Sequence, residues 1–310
     1  MQLVRQKVRS RSYRRTGSAS RSGVALALLL AAALGSGCGV AGDDASRPAA
    51  GQEAQQGAAG ALTAYVERVK KEHAARVAAA RTWGLKQTPL TAPSPPPVKP
   101  EITTRKGFEV AGGASLPPVF TTVPVKEKVV FLTIDDGAEK DPDLLRMMSE
   151  LRIPYSAFLS DYVIDDDYGY FKRMQDRGVA LHNHTLNHRY LPALSYAEQK
   201  REICGQQDKL EKRYGTRPRL FRPPYGNYNK DTLRAAQSCG IKAVPLWAAE
   251  GFPDRMEWRE WDRDLHPGDI ILTHFRGRGD WKGTMPDMIR RVMNTVTAKG
   301  YAVARLEDYV

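Results

Sequence analysis

Acidic residues are missing from the start of this 310-residue chain, where none precedes Asp43. Seven of its 47 basic residues lie before position 22, inside that acid-free stretch. The 40 basic residues that remain face 35 acidic residues, which leaves a charge of +5 instead of the formal +12. Basic charge concentrated in this way is typical of an N-terminal address, so it gives no support for a nucleic-acid partner.

The chain also lacks a long hydrophobic run. The apolar run at residues 23–34 is too short for a membrane-spanning helix, which needs about 20 residues. It follows the basic segment and leads through small residues to Cys38, as in a secretory signal peptide. The ending resembles a bacterial lipobox, although Gly35 stands where an aliphatic residue is usual. We therefore predict a signal at residues 1–38, and three outcomes stay open: a surface lipoprotein, a secreted protein or an uncleaved anchor.

Cysteine is scarce, with three residues in all. Cys38 belongs to the predicted signal, which leaves Cys204 and Cys239, each in a helix-like stretch. Exported proteins reside in an oxidising setting, where disulfides persist. A disulfide between these two helices and a pair of buried thiols both remain open.

Neither an internal repeat nor a phosphate-binding glycine loop is present. Residues 39–125 are predicted to be a flexible stalk, with a short helix at 61–83 and a proline-rich spacer at 88–100. That helix could be solvated or packed on a partner. Residues 126–310 alternate strand-like and helical stretches, which predicts βα units around a parallel sheet, open or closed into a barrel. In such folds the chemistry lies at the carboxyl ends of the strands.

Two clusters carry that chemistry. The strand-like run VVFLTIDDG ends in adjacent carboxylates, Asp135 and Asp136, whose mutual repulsion requires a positive group nearby. Three of the six histidines fall within seven residues, and the spacing of His184 and His188 predicts that one helical turn places both on one face. Two imidazoles and one carboxylate are typical of a catalytic zinc site. One aspartate could then hold the metal while the other takes a proton from water.

Four motifs in this order, TIDDG, HTLNH, RPPYG and LTH, resemble those of NodB-type polysaccharide deacetylases, also called carbohydrate esterase family 4. The resemblance covers residues 126–310 and not the stalk. It implies an α/β fold, a distorted (β/α) barrel of about seven parallel strands. It also implies a divalent metal, usually Zn²⁺ with Co²⁺ or Ni²⁺ as alternatives, and removal of acetyl groups from β-1,4-linked sugar polymers.

The first three motifs imply roles for five residues. Asp135 matches the catalytic base, and Asp136, His184 and His188 match the metal ligands. Arg222 matches the arginine that orients the base, and its cation would offset the repulsion between the paired carboxylates.

Three further residues are expected to act on the substrate. The resemblance implies that the backbone N–H of Tyr225 donates to the developing oxyanion, a stabilisation that is strongest for preorganised donors. His274 matches the general acid that protonates the leaving amine, and Leu272 matches the wall of the acetyl-methyl pocket. Tyr225 as a core residue and His274 as a structural histidine remain the simpler alternatives.

A fourth motif departs from the family pattern, which has Asp-x-x-Asp-Trp soon after the strand near Trp247. The sequence here is LWAAEGFPDRMEW. Asp254 and Trp258 fit the spacing but lie a few residues late, whereas Glu250 fits the distance. We assign Asp254 to the catalytic set and Trp258 to the substrate wall, with Glu250 as the alternative to Asp254.

These features together predict a metal-dependent de-N-acetylase acting on an extracytoplasmic β-1,4-linked amino-sugar polymer. Peptidoglycan is the first substrate expected for a protein held at the cell surface, and chitooligosaccharide is the next. The alternatives are an O-acetyl esterase acting on xylan-type material and an inactive barrel that only binds glycan. The expected partner is the glycan, with a monomeric protein, no nucleic acid and membrane contact only through the signal or a lipid anchor.

Overall fold

This computed structural model describes residues 50–310, with side chains from Gly60 onwards. The chain divides into two compact units, Met1–Gln56 and Gly57–Val310, and the first lies almost wholly outside the described residues. The predictions for the signal and for Cys38 also fall outside them and stay predictions. Between residues 50 and 310, no helix is long and apolar enough to cross a membrane.

Nine strands and seven helices are present in the described part of the chain. The strands are β1 Val119–Phe120, β2 Val129–Asp136, β3 Ser156–Leu159, β4 Ala180–Asn183, β5 Val244–Pro245, β6 Ala249–Gly251, β7 Met256–Trp258, β8 Ile270–His274 and β9 Ala302–Ala304. The helices are α1 Ala50–Thr82, α2 Pro142–Leu151, α3 Asp161–Ile164, α4 Tyr168–Gln175, α5 Tyr196–Tyr214, α6 Lys230–Ser238 and α7 Met285–Ala298.

The strands build the distorted (β/α) barrel that the resemblance implied. The main sheet has the order β4-β3-β2-β8-β6-β7, with β9 added to β2, and all of its pairs are parallel except β6 with β7. Single bridges from Asn183 to Phe221 and from Leu220 to Ala243 continue the wall towards β5, which pairs with β1. Every residue of β2 is buried, as expected for a central strand with neighbours on both edges.

The helices begin and end where their sequences place caps. Asp141 accepts a hydrogen bond from the Asp143 N–H at the start of α2, which has proline at its first position. Capping boxes open α5 and α7, at Ser195 and Thr284. The apolar faces of α2 and α7 pack on the sheet and form the largest buried cluster. The short helices α3 and α4 were not predicted, because segments of four and eight residues leave little periodic signal.

Cys204 in α5 and Cys239 at the end of α6 form a disulfide across 35 residues. The structure thus resolves the two alternatives left open by the sequence in favour of the covalent bond.

A flexible stalk was expected at residues 39–125, but the C-terminal end of α1 and the chain that follows it pack against the barrel. The guanidinium of Arg76, in α1, donates to the carbonyl oxygens of Leu151 and Pro89 at 3.1 and 2.6 Å. The buried Trp83 donates through its indole N–H to Glu150 at 2.7 Å. The apolar residues that suggested a helical stripe, Leu62, Val66 and Val69, are 40–64% exposed, so the barrel covers only the C-terminal end of α1.

The proline-rich stretch also lies on the barrel. Leu90 forms a parallel bridge with Ala302 of β9, and Lys99 Nζ donates to the Glu307 carbonyl at 2.8 Å. A proline-rich backbone still accepts hydrogen bonds and can pair at a sheet edge. Composition alone therefore did not distinguish a free linker from a segment bound along the barrel.

A fragment that starts at residue 126 is therefore expected to be much less stable than residues 60–310. It loses Val119, Phe120 and Val123, all at most 1% exposed, and burial of each such side chain contributes about 1.5–3 kcal/mol. Urea unfolding of both fragments would measure this loss. A fragment of residues 101–310 separates the contribution of β1 from that of Arg76 and Trp83. Equal urea midpoints for the 126–310 and 60–310 fragments would contradict the packing described.

Candidate active site

The neighbouring carboxyl ends of β2 and β8 bring the first two site residues together. Asp135 of β2 and His274 of β8 are register partners. The chain beyond β8 stays attached to β2, since the Phe275 N–H donates to the Asp135 carbonyl at 3.0 Å. The strand-end aspartates and the LTH motif, distant in sequence, therefore meet at one edge of the barrel.

The positive group that the paired carboxylates required is Arg222. Its side chain is fully buried, and Nη1 donates to Asp135 Oδ1 at 2.7 Å. Nη1 also lies 2.9 Å from Thr133 Oγ1, and Nε donates to the Pro245 carbonyl at 2.8 Å. A buried guanidinium is tolerated only when it is paired and hydrogen-bonded, so these bonds fix both the arginine and the carboxylate.

Asp136 points its carboxylate elsewhere because its backbone turns at the last residue of β2. Its φ of 78° is in the left-handed region, which aspartate tolerates better than most residues. Gly137 continues the turn at φ 105°, where an added Cβ would lie 2.3 Å from Ile164 Cγ2. A glycine is required there, which explains the sequence Asp-Asp-Gly at the end of the strand.

The HTLNH motif is a loop after β4, so the predicted helical turn is wrong. Thr185 and His188 adopt φ values of 72° and 51°, and the Thr185 hydroxyl accepts the His188 N–H at 3.1 Å. Asn183 supports the same turn by accepting the Thr185 N–H at 2.8 Å. The imidazoles of His184 and His188 are still neighbours, with ring centroids 4.9 Å apart. A loop stabilised by side-chain hydrogen bonds, and not a helix, holds them together.

Asp136, His184 and His188 offer ligand atoms that all lie within 4.8 Å of one another. His184 Nδ1 is 2.7 Å from the Arg222 carbonyl, which can only accept, so Nδ1 carries the hydrogen and Nε2 faces the cluster. Asp136 Oδ1 lies 3.5 Å from that Nε2 and 3.4 Å from His188 Nε2. This buried oxygen has no hydrogen-bond partner among the described residues. One carboxylate and two imidazoles with an unsatisfied oxygen fit a divalent metal such as zinc.

The electrostatics of this cluster favour positive charge. Burial opposes the ionisation of Asp136, but its contact with His184 and the charge of that imidazole hold its pKa well below the usual range. Burial also opposes protonation of His184, yet the carboxylates of Asp135 and Asp136 raise its pKa. His188 behaves differently, because burial and the neighbouring His184 lower its pKa to about 4. His188 is thus neutral near pH 7, as a metal-ligating imidazole must be.

Glu250, and not Asp254, is the carboxylate that faces His274. Glu250 Oε1 lies 3.4 Å from His274 Nδ1, while Asp254 is exposed and pairs with Arg255 at 3.1 Å. The reason is the β6–β7 hairpin: Glu250 pairs in register with Leu272 of β8, whereas Asp254 falls in the turn. Burial, followed by the charges of Glu257 and Asp135, raises the pKa of Glu250 to about 7. Burial lowers the pKa of His274.

A cavity of about 450 Å³ opens above these groups. Leu272 and the 60% exposed Tyr225 line it, as expected, but Trp258 does not. Trp258 lies on the outer strand β7 and packs against the core beside Lys299. The cavity is lined instead by residues that the motifs did not assign to it: Trp247, Phe252, Arg276 and Trp281. Arg276 was not predicted, although its position two residues beyond His274, at a strand end, was a signal that could have found it; the aromatic residues had no comparable signal.

Comparison with known proteins places this site in a family. Residues 122–244 match the polysaccharide deacetylase family model. An uncharacterized protein of Streptomyces coelicolor is 43% identical over 199 residues, covering 64% of this chain and 79% of that one. The Bacillus subtilis peptidoglycan-N-acetylmuramic acid deacetylase PdaC is 31% identical over 203 residues, or 62% of this chain and 41% of that one. A Bacillus cereus peptidoglycan-N-acetylglucosamine deacetylase is 27% identical over 200 residues, or 60% and 90%.

The fold is shared with a solved family 4 carbohydrate esterase from Bacillus anthracis. That structure matches with a TM-score of 0.51 at 23% sequence identity, covering 62% of this chain and 86% of that chain. The chain belongs to the polysaccharide deacetylase family, carbohydrate esterase family 4. It is an enzyme of the polysaccharide deacetylase type.

The raised pKa of Glu250 predicts a pH-dependent stability that Glu250→Gln removes. A carboxyl group whose pKa rises from 4.5 to about 7 on folding disfavours the folded state as pH increases through that window. Between pH 4.5 and pH 8 this rise corresponds to about 3 kcal/mol, which solvent screening of the partly exposed carboxyl reduces to about 2 kcal/mol. The metal-free Glu250→Gln variant should therefore gain about 2 kcal/mol of unfolding free energy relative to the wild type. Urea unfolding at the two pH values measures it.

Asp254→Asn is the matched control, since that carboxylate is exposed and paired with Arg255. It should follow the wild type at both pH values. A pH-dependent gain in Asp254→Asn and none in Glu250→Gln would show that the wrong carboxylate has been placed beside His274.

Proposed function

We propose that this protein is a metal-dependent de-N-acetylase acting on an extracytoplasmic β-1,4-linked amino-sugar polymer, with peptidoglycan as the first substrate. One observation carries the proposal. Asp135, His274 and the cluster of Asp136, His184 and His188 line one cavity at the carboxyl ends of the strands, although five separate segments supply the residues around it. A binding module would need neither the base nor the acid.

Asp135 is proposed as the general base. Its Oδ1 is held by Arg222, which leaves Oδ2 directed into the site, 3.7 Å from His184 Nε2. A carboxylate held at one oxygen presents the other in a fixed direction, which is what proton transfer from a positioned water requires. Arg222 therefore positions the base rather than contacting the substrate.

Asp136, His184 and His188 are proposed to hold the metal, with zinc first and cobalt or nickel as alternatives. When bound there, the ion would lower the pKa of a water and polarise the acetyl carbonyl. The protein supplies the remaining stabilisation through the backbone N–H of Tyr225, which lies in a short turn at φ 62° beside the cluster. A fixed N–H donor stabilises charge that develops on the carbonyl oxygen.

His274 is proposed as the general acid for the leaving amine, with Glu250 behind it. Glu250 Oε1 lies 3.4 Å from His274 Nδ1. The pKa of Glu250 is raised to about 7 and the pKa of His274 is lowered, so the pair retains a proton near neutral pH. That proton can pass to the amine when the bond between the acetyl carbon and nitrogen breaks. Leu272 lies beside His274 on β8 and is proposed to contact the acetyl methyl group.

The substrate is inferred from two further features. Two relatives are named as peptidoglycan deacetylases, one for N-acetylmuramic acid and one for N-acetylglucosamine. The signal predicted at residues 1–38 would bring the protein to the cell surface, where peptidoglycan is the β-1,4-linked amino-sugar polymer at hand. Chitooligosaccharide and O-acetylated xylan are the substrates to compare with it.

The test is acetate release by residues 60–310 from N-acetylated peptidoglycan, chitooligosaccharide and acetylated xylan. Each substrate is assayed with added zinc and with chelator. We expect zinc-dependent acetate from peptidoglycan, and a loss of about 10²–10⁴-fold in Asp135→Asn, the range for removal of a general base. The variant retains Asp136, His184 and His188, so zinc binding should persist.

Asp254→Asn serves again as the control and should release acetate at the wild-type rate. Acetate from xylan alone would replace the proposal with an O-acetyl esterase. Zinc binding with no acetate from any polymer would instead support the inactive glycan-binding barrel.

A further inference from the structure

Arg276 lies in the active site without a role in the proposed reaction. Its Nη2 donates to Asp136 Oδ2 at 2.8 Å, and its Nη1 lies 3.5 Å from Asp280 Oδ2. It lines the cavity, where the other arginine of the site, Arg222, is fully buried behind Asp135. The contact is thus with the carboxylate that belongs to the proposed metal cluster, and not with the base.

We propose that Arg276 is a positioning residue for the metal site, which holds Asp136 so that a single oxygen, Oδ1, is presented to the metal. This inference rests on the proposed function only in taking Asp136, His184 and His188 as the ligands. It concerns a group outside the ligand set, contributed by the loop after β8.

The two oxygens of Asp136 have different surroundings, which is the main support. Oδ2 is bound to the Arg276 guanidinium, whereas Oδ1 is buried, lacks a hydrogen-bond partner among the described residues and faces both imidazoles. A charge-assisted hydrogen bond to one oxygen fixes the plane of a carboxylate. An aspartate held in this way offers one ligand atom in a set direction, whereas a free one rotates or binds through both oxygens.

The arginine is itself held in place from three sides. Its N–H donates to the His274 carbonyl at 2.9 Å, which fixes the turn after β8. The preceding Phe275 is fully buried and bonded to β2 through Asp135, so the loop cannot shift as a whole. Asp280 adds a partner at the far end of the guanidinium. This is the arrangement expected of a group that orients a ligand.

A cation close to a metal site can also repel the metal ion, so the test must distinguish repulsion from positioning. A purely repulsive arginine would weaken metal binding, so its removal would raise the affinity. A positioning arginine strengthens binding, so its removal lowers the affinity. Groups that orient a metal ligand typically contribute 10–100-fold to metal affinity.

The experiment is zinc titration of metal-free residues 60–310 by calorimetry, without substrate, for the wild type and for R276Q, R276K, D280N and R278Q. We expect zinc affinity to fall 10–100-fold in R276Q and to be partly restored in R276K, which keeps the charge but loses the planar fork. D280N should show a smaller loss. R278Q is the matched control, an arginine of the same loop that is mostly exposed and lies near Asp287, and it should match the wild type.

Visible absorption of the cobalt-loaded proteins gives a second readout. Removal of the bond to Oδ2 should allow Asp136 to bind through both oxygens, and the higher coordination number should weaken the absorption of R276Q relative to the wild type and R278Q. If R276Q does not fold, R276K and D280N carry the test, since both keep most of the contacts of the loop.

Unchanged or increased zinc affinity in R276Q and R276K would overturn this inference while leaving the metal site intact. Failure of the wild type to bind zinc, cobalt or nickel would instead overturn the metal site of the proposed function. The two failures are therefore distinguishable from the same titrations.

Discussion

The buried ion pair between Asp135 and Arg222 is the interaction on which the rest of the site depends. Arg222 is fully buried, and its bonds reach β2 through Thr133 and Asp135 and the segment around β5 through Pro245. A guanidinium left unpaired at such a place would cost several kcal/mol, so the pair is retained only as a complete network. The bond that positions the proposed base is thus also a bond that closes this side of the barrel.

The main chain of the same arginine extends this dependence to the metal cluster. The Arg222 N–H donates to the Asn183 carbonyl at 3.0 Å, and its own carbonyl accepts from His184 Nδ1 at 2.7 Å. Asn183 in turn supports the loop that carries the second histidine. One residue therefore sets the carboxylate through its side chain and the imidazole tautomer through its backbone. A displacement of this segment would disturb both proposed halves of the chemistry together.

The sequence was sufficient for features that are local or that repeat with a fixed period. Helix α2, the strand ending in Asp135 and the convergence of strand ends all followed from patterning, and the resemblance added the remaining motif residues. Features that depend on backbone conformation did not follow. The spacing of His184 and His188 suggested a helix, whereas positive φ values at Thr185 and His188 produce the same proximity in a loop.

Register was the other property that the sequence did not contain. Asp254 fits the motif spacing, but the antiparallel β6–β7 hairpin places Asp254 in the turn and Glu250 opposite Leu272. Likewise, the contacts of Arg76 and Trp83 with α2 could not be predicted, because contact between segments far apart in sequence leaves no periodic signal. Long-range pairing thus determined the positions of Glu250 and Asp254, whereas local backbone conformation determined the loop of His184 and His188.

The three carboxylates of the cavity illustrate how environment assigns different properties to one chemical group. Asp135 is paired with Arg222, and Asp136 contacts Arg276 and lies beside two imidazoles, which hold its pKa well below the usual range. Glu250 forms no ion pair with lysine or arginine in residues 60–310, and burial raises its pKa to about 7. The pKa values of Asp136 and Glu250 are thus displaced in opposite directions within one cavity.

The aspartates and Glu250 also lie on different strands of the sheet. The two arginines contact the aspartates at the end of β2, while Glu250 and His274 lie on β6 and β8, the strands that follow β2 in the sheet. Hydrolysis of an amide requires a proton to be taken from water on one side of the carbonyl and given to nitrogen on the other. Arg222 and Arg276 form ion pairs with Asp135 and Asp136, whereas Glu250 forms none with lysine or arginine in residues 60–310, so this asymmetry of charge is present before any substrate binds.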